Sequence, residues 1–246
     1  MNYNWNWGVF LSETPSGGTT YLAWLFEGLQ WTVMLSLSAW LIALLVGFVI
    51  GVLRTVPHRG WSTLATAYVE IFRNIPLLVQ LFLWYFVMPE LLPEAWGMAF
   101  KQSHPLTQQF LAAMVCLGLF TAARVAEQVR AGIESLPKGQ WAAGQALGFT
   151  LPQIYRYVLV PMAARIVVPP LTSEFLNIFK NSAVATTIGL IELSRQAQQL
   201  VDYTAQPYEA FIAVTVLYLA INVVVMFLMR RLEQRTRVPG FIGGGQ

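Results

Sequence analysis

The sequence has little of what soluble enzymes and nucleic-acid-binding proteins rely on. Only 11% of its 246 residues are charged, and only His58 and His104 are histidines. There is one cysteine, Cys116, so neither an intrachain disulfide nor a cysteine-based metal site can form. Cys116 sits in an apolar run, where a small buried thiol is expected. The chain has no His-Glu-x-x-His, no clustered metal ligands and no Gly-x-Ser-x-Gly, which argues against an intramembrane metalloprotease or serine hydrolase. It also has no Gly-x-x-x-x-Gly-Lys-Ser/Thr, so it offers no P-loop for ATP. A net charge of +3 is too small to point to nucleic acid. Lysine and arginine are absent from residues 1–20, so no ordinary signal peptide is expected and the first membrane helix would do the targeting.

Apolar residues are abundant, at 56% of the chain, as expected of a multi-span membrane protein. Residues 28–53 and 210–229 carry no charge. At about 1.5 Å per residue, runs of this kind cross a hydrocarbon core of about 30 Å. Between them the hydropathy predicts spans over about 65–88, 108–129 and 171–191. This is an all-α, polytopic protein with five spans. The domain plan is an exoplasmic arm (1–27), a transmembrane domain (28–229) interrupted by a polar loop at 131–161, and a cytoplasmic tail (230–246). Arg54, Arg59, Arg130, Lys138, Arg156, Arg165 and the tail arginines 230, 231, 235 and 237 all fall on one side. Lys101 and Arg195 fall on the other, beside Glu90, Glu94, Glu192, Asp202 and Glu209. The basic side is cytoplasmic by the positive-inside rule, which puts the amino end out and the carboxyl end in.

Several spans carry polar residues, which must face protein or water and not lipid. In the second span, Glu70 and Arg73 stand three apart and can pair, Pro76 would kink the helix, and Gln80 follows. In the third span, Arg124 has Glu127 and Gln128 three and four residues on, and Arg130 can reach Glu127 and Glu134. An arginine at 124 suits either of two roles: it can hold a carboxylate ligand by two parallel hydrogen bonds, or snorkel to the cytoplasmic face near its end of the span. In the fourth, Asn177, Lys180 and Asn181 share a face, followed by Ser182. In the first, Gly47 and Gly51 form a small-xxx-small pair that admits a close neighbour. The loops 89–107 and 192–209 are read as hydrophilic connections.

The polar interruption reads as a helix-turn-helix. Ser135 is a candidate N-cap, Gln140 to Leu147 favours helix, and Gly148 suits a left-handed terminus. Thr150 can cap a second helix that tolerates Pro152 in its first turn and ends at Pro161. The pattern Ala142-Ala143-Gly144, Gly148, Val158-Leu159-Val160-Pro161 resembles the EAA loop of ABC importer permeases. It departs from that motif in having Ala142 at the acidic position and Gly144 at the second alanine. Phe72-Arg73-Asn74-Ile75-Pro76-Leu77-Leu78-Val79-Gln80, Ala122 to Arg130 and Asn177-Ile178-Phe179-Lys180-Asn181-Ser182-Ala183 also resemble the polar amino-acid uptake, histidine-permease-like branch. The resemblance covers roughly 20–237 and is strongest to glutamate/aspartate permeases of the bacterial inner membrane.

That resemblance implies a type I importer permease fold that is not itself an enzyme. ATP would be bound by a partner, with no cofactor or metal on this chain. It implies a second permease subunit (identical or related), a cytoplasmic ATPase dimer, a periplasmic substrate-binding protein, an amino-acid substrate and surrounding lipid. The implied substrate path comprises Pro76, Gln80, Arg124, Glu127, Asn177, Lys180, Asn181 and Ser182. The implied ATPase contact comprises Gln140, Ala142, Ala143, Gly144, Gly148 and Pro161. A secondary transporter or a non-transporting scaffold is the alternative, although no internal repeat supports the former.

Overall fold

A computed structural model describes residues 3–236. The expectations for Arg237 and for the glycines at 243–245 lie outside them. The described chain is helical, and its only β-type pairing is the isolated bridge between Glu13 and Thr20. After a 3-10 turn (Trp7–Leu11), the α-helices are α1 (Tyr21–Thr55), α2 (Arg59–Asn74), α3 (Leu77–Phe82), α4 (Met88–Leu91), α5 (Glu94–Gln102), α6 (Pro105–Glu134), α7 (Lys138–Ala146), α8 (Leu151–Ile154), α9 (Val160–Asn181), α10 (Leu193–Thr204) and α11 (Pro207–Thr236). Four stretches are long and apolar enough to span a membrane: Tyr21–Thr55, Pro105–Glu134, Leu151–Ile188 and Pro207–Arg235. There are five if Arg59–Asn74 and Leu77–Leu91 count as one broken span.

That break revises the kink expected at Pro76. Ile75 and Pro76 are both extended (ψ 129° and 138°), so the second span is two helices and not one running from 65 to 88. Proline disfavours helical backbone in the residue before it, which ends α2 at Asn74. The boundary at 27/28 falls inside α1, which begins at Tyr21. Both expected loops are also helical. Residues 89–107 contain α5, and residues 192–209 contain α10.

The chain forms two compact units, and α1, α6, α9 and α11 contribute residues to both. The first unit comprises 1–40, 76–118 and 177–224. Its core joins Val9, Tyr21, Leu25, Leu193, Ala197, Leu200, Ala210 and Val214, so one face of α10 is buried against α1 and α11. Glu192 and Glu209 are fully buried there, although both belong to the stretch read as a hydrophilic connection. Glu192 caps α10 by accepting from the Arg195 N–H at 3.0 Å. It also accepts from the hydroxyls of Tyr218 (2.7 Å), Thr32 (3.4 Å) and Thr186. A helix N-terminus and several donors offset the desolvation of a carboxylate. Glu209 accepts from the Asn6 N–H at 2.6 Å and from the Tyr3 hydroxyl, tying the amino-terminal arm to the start of α11. Burial and this carboxylate push the Tyr3 hydroxyl up to about 12. Cys116 is buried and free, as its apolar setting implied.

The second unit comprises 41–75, 119–176 and 225–246. Here α1 meets α6 at the two glycines. A Cβ on Gly47 would stand 2.6 Å from the Val125 Cβ and 2.7 Å from the Ala122 carbonyl. One on Gly51 would meet the Val129 Cβ at 2.6 Å and the Ala126 carbonyl at 2.8 Å. The pair is therefore a helix-packing seam. Val69 of α2 packs on Ala123 and Ala126, where small residues again permit close approach, and Ile50 of α1 packs against the same cluster.

Candidate functional site

The EAA-like segment lies wholly in the second unit. Its turn is fixed by backbone chemistry. Gly148 is left-handed (φ 75°), its N–H donates to Gln145 O at 2.9 Å, and the Phe149 N–H donates to Gly144 O at 3.1 Å. These two bonds make the Schellman motif that glycine permits at a helix end. Thr150 and Gln153 then close a capping box, with the Thr150 N–H donating to Gln153 Oε1 at 2.7 Å. Gly144 is buried against Ile154, so the arms of the turn touch where a larger residue would separate them. Ala142, Ala143, Gly148 and Pro161 are exposed, Gln140 is half-buried, and Leu147 is 72% exposed.

Two expectations here are corrected. Ser135 does not cap α7, whose N-cap position is Pro137; its hydroxyl donates to Gly132 O at 2.8 Å, within the preceding helix end. Pro161 does not end the second arm. A π-turn at Tyr155–Leu159 joins α8 to α9, with the Val160 N–H donating to Tyr155 O five residues back. The wider turn accommodates a proline that has no N–H of its own to place. The second arm is therefore the base of the fourth span.

Arg124 and Glu127 line a polar cavity of about 230 Å³ with Arg73, Gln128 and Glu174. The expected pairings are redistributed by the tertiary fold. Arg124 pairs with Glu174 at 3.6 Å and lies 5.3 Å from the Phe120 ring, and does not pair with Glu127. Glu127 instead accepts from Arg54 at the end of α1 and from Arg130 at 2.5 Å, with Arg73 at 3.4 Å. Arg130 also bonds Glu134 at 2.5 Å, as the helical spacing predicted. Arg73 therefore serves Glu127 and not Glu70, which accepts from Asn74 Nδ2 at 3.1 Å. Glu174 and Arg54 were not among the expected path residues. Glu174 had a usable signal, since it precedes Asn177 by three residues and so continues the polar stripe of the fourth span.

The remaining path residues belong to the first unit. Gln80 and Ser182 are buried, and the Ser182 hydroxyl donates to Phe179 O at 2.7 Å. Asn177 and Asn181 are half-buried and Lys180 is exposed. Asn181 adjoins Leu77, Leu81 and Val184, close to the break at Pro76.

Comparison with known proteins identifies the family and the fold. The family model described as "Binding-protein-dependent transport system inner membrane component" matches residues 43–238. The chain is 56% identical over 245 residues to the glutamate/aspartate import permease protein GltJ of Escherichia coli K12, covering 99% of this chain and 100% of that one, and equally so to GltJ of Escherichia coli O6:H1. It is 28% identical to the glutamate/aspartate import permease protein GltK of the same O6:H1 strain, covering 95% and 99%. A solved structure titled as an amino acid ABC transporter with histidines superposes with a TM-score of 0.74 at 31% identity, covering 87% of this chain and 95% of that one. A transmembrane helical chain with an EAA-like turn, matched over most of its length by such relatives, belongs to the family of inner membrane components of binding-protein-dependent transport systems, as an amino-acid ABC permease.

Proposed function

We propose that the chain forms one half of the membrane pathway of an ATP-driven importer for acidic amino acids, glutamate and aspartate. The observation that carries the substrate class is the end-to-end 56% identity with GltJ. Arg124 supports it independently. Its side chain is 43% exposed, it opens on a polar cavity, and its 3.6 Å contact with Glu174 is long for a bidentate pair, so guanidinium N–H groups remain for a substrate carboxylate. GltJ and GltK are two different permease chains in one strain. That supports pairing of this chain with a second, related permease.

The exposed turn at 138–150 is the ATPase contact, and a soluble binding protein delivers the amino acid on the opposite face. Helix ends held by a Schellman turn and a capping box make a rigid knob, and a rigid knob transmits displacement where a floppy loop would absorb it. ATPase closure would move this knob together with α9, since α8 and α9 are joined through the π-turn, and so favour one access state over the other.

The test is to purify the chain with its genomic neighbours, reconstitute the complex in vesicles and screen amino acids for stimulated ATP hydrolysis and uptake. Stimulation by glutamate and aspartate is expected, and stimulation by basic amino acids alone would overturn the assignment. Arg124→Ala should raise the half-saturating concentration for aspartate uptake about tenfold or more, as loss of a charge-assisted hydrogen bond does, while the complex still assembles. Equal loss of assembly and uptake would make Arg124 structural. Gly148→Val forces a β-branched residue into left-handed backbone at a cost of about 1–2 kcal/mol, and should depress uptake by disturbing the turn. Wild-type uptake in that variant would count against the coupling role.

A further inference from the structure

Away from the polar cavity, the second unit has an apolar cleft between α1 and the base of the fourth span. Phe48, Val49, Val52 and Leu53 line one wall, and Pro152, Tyr155, Arg156 and Val160 line the other, around about 440 Å³. Phe48 and Val160 also line a narrower apolar cavity of about 160 Å³ with Val129, Ile133, Ala163 and Val167. Phe48 and Val160 are common to both, so the smaller cavity, between α6 and α9, lies directly beside the cleft. At its Arg156 end the Tyr155 hydroxyl donates to Thr55 Oγ1 at 3.1 Å, which ties the two walls together at the mouth.

The polarity along the cleft is ordered. On α1 the lining runs from Phe48 to Leu53 and stops just before Arg54 and Thr55. On the other wall, Pro152 and Arg156 come first and Val160 lies deeper. Arg156 is the one charged group in the lining. It is exposed, its guanidinium stands 5.7 Å from the Tyr157 ring, and it makes no ion pair among the described residues. A cationic mouth on a tapering apolar slot matches the order of groups in a phospholipid.

We propose that this cleft is a binding site for an anionic phospholipid, with one acyl chain in the slot and the phosphate on Arg156. The site rests on the orientation argued above, which puts Arg156 at the cytoplasmic leaflet, where anionic headgroups meet basic side chains. It does not depend on which amino acid is carried. A cation near an anionic headgroup changes binding about fivefold, which sets the expected effect.

The purified importer complex, stripped of lipid, is titrated with phosphatidylglycerol or phosphatidylcholine and the bound lipid is counted by native mass spectrometry. The wild type should retain phosphatidylglycerol about fivefold better. Arg156→Gln should erase that preference, and Val52→Trp, which fills the slot, should lower retention of both lipids. Arg156 is exposed, so its substitution leaves packing intact and keeps the test decisive if the tryptophan variant does not fold. Absence of a wild-type preference, or unchanged retention in Arg156→Gln, overturns the proposal. So does Val52→Cys that cross-links to a neighbouring subunit and not to a lipid-borne probe, since that would make the cleft a protein interface. Uptake assays fail or succeed separately, so this result does not depend on the transport assignment.

Discussion

Glu127→Gln is expected to lose about 3 kcal/mol of stability and with it most uptake. Three arginines from three helices converge on this carboxylate: Arg54 ends α1, Arg73 ends α2 and Arg130 belongs to α6. The Arg54 side chain is only 9% exposed and Glu127 is 26% exposed. Donors already outnumber acceptors, since the Nε atoms of Arg54 and Arg130 are buried without a partner. A neutral amide removes the carboxylate that all three share. Breaking a buried ion pair from one side costs about 3–5 kcal/mol, and the partial exposure of Glu127 points to the lower end. Glu134→Gln is the matched control. It touches Arg130 as well, but Glu134 is 51% exposed, so a loss below about 1 kcal/mol is expected. Thermal unfolding of the two variants in detergent checks the difference. Indistinguishable midpoints would mean that solvent, and not Glu127, balances the arginines.

Enlarging the α1 seam should have an effect of similar size by a different route. In Gly47→Val and Gly51→Val, the first added carbon already lands 2.6 Å from a valine Cβ and within 2.8 Å of a backbone carbonyl of α6. No rotamer relieves a clash with backbone, so the helices must separate. Overpacking costs about 1–3 kcal/mol per site, and the two sites lie one turn apart and will not simply add. The expected result is a sharp fall in the yield of folded protein extracted from membranes, already visible with Ala at either position. Gly139→Ala is the control: nothing lies within 4 Å of its Cβ, and a change within about 0.5 kcal/mol is expected. Normal yield from both valine variants would show that α1 and α6 do not pack this closely in the membrane.

Local chemistry was legible because it depends on near neighbours in the chain. The helical class, the apolar spans, the left-handed Gly148, the Thr150 cap and the Arg130–Glu134 pair each need only a few residues of sequence. The errors share one cause. Ser135 and Pro161 have local preferences that neighbouring elements overrode. Pro137 took the cap position, and the π-turn carried the helix past the proline. The helices inside the connections 89–107 and 192–209 went unread because short amphipathic helices differ little in composition from hydrophilic loops. In α10 it is the buried face against α1 and α11 that makes the helix stable.

The sequence by itself determined that this is a membrane-spanning chain with its basic residues gathered in alternate connections, no nucleotide-binding loop of its own and an EAA-like turn. Those follow from hydropathy, charge placement and backbone freedom, which are properties of short segments. Only the tertiary structure decided the partners of the charges. Glu127 lies next to Arg124 on a helical wheel but pairs with Arg54 and Arg73, and Arg124 is left to Glu174. Helical spacing brings candidates within reach, but in an apolar setting each charge pairs where the packing of other helices delivers an opposite one. That delivery depends on close approaches, such as α1 onto α6 at Gly47 and Gly51, between residues distant in the chain.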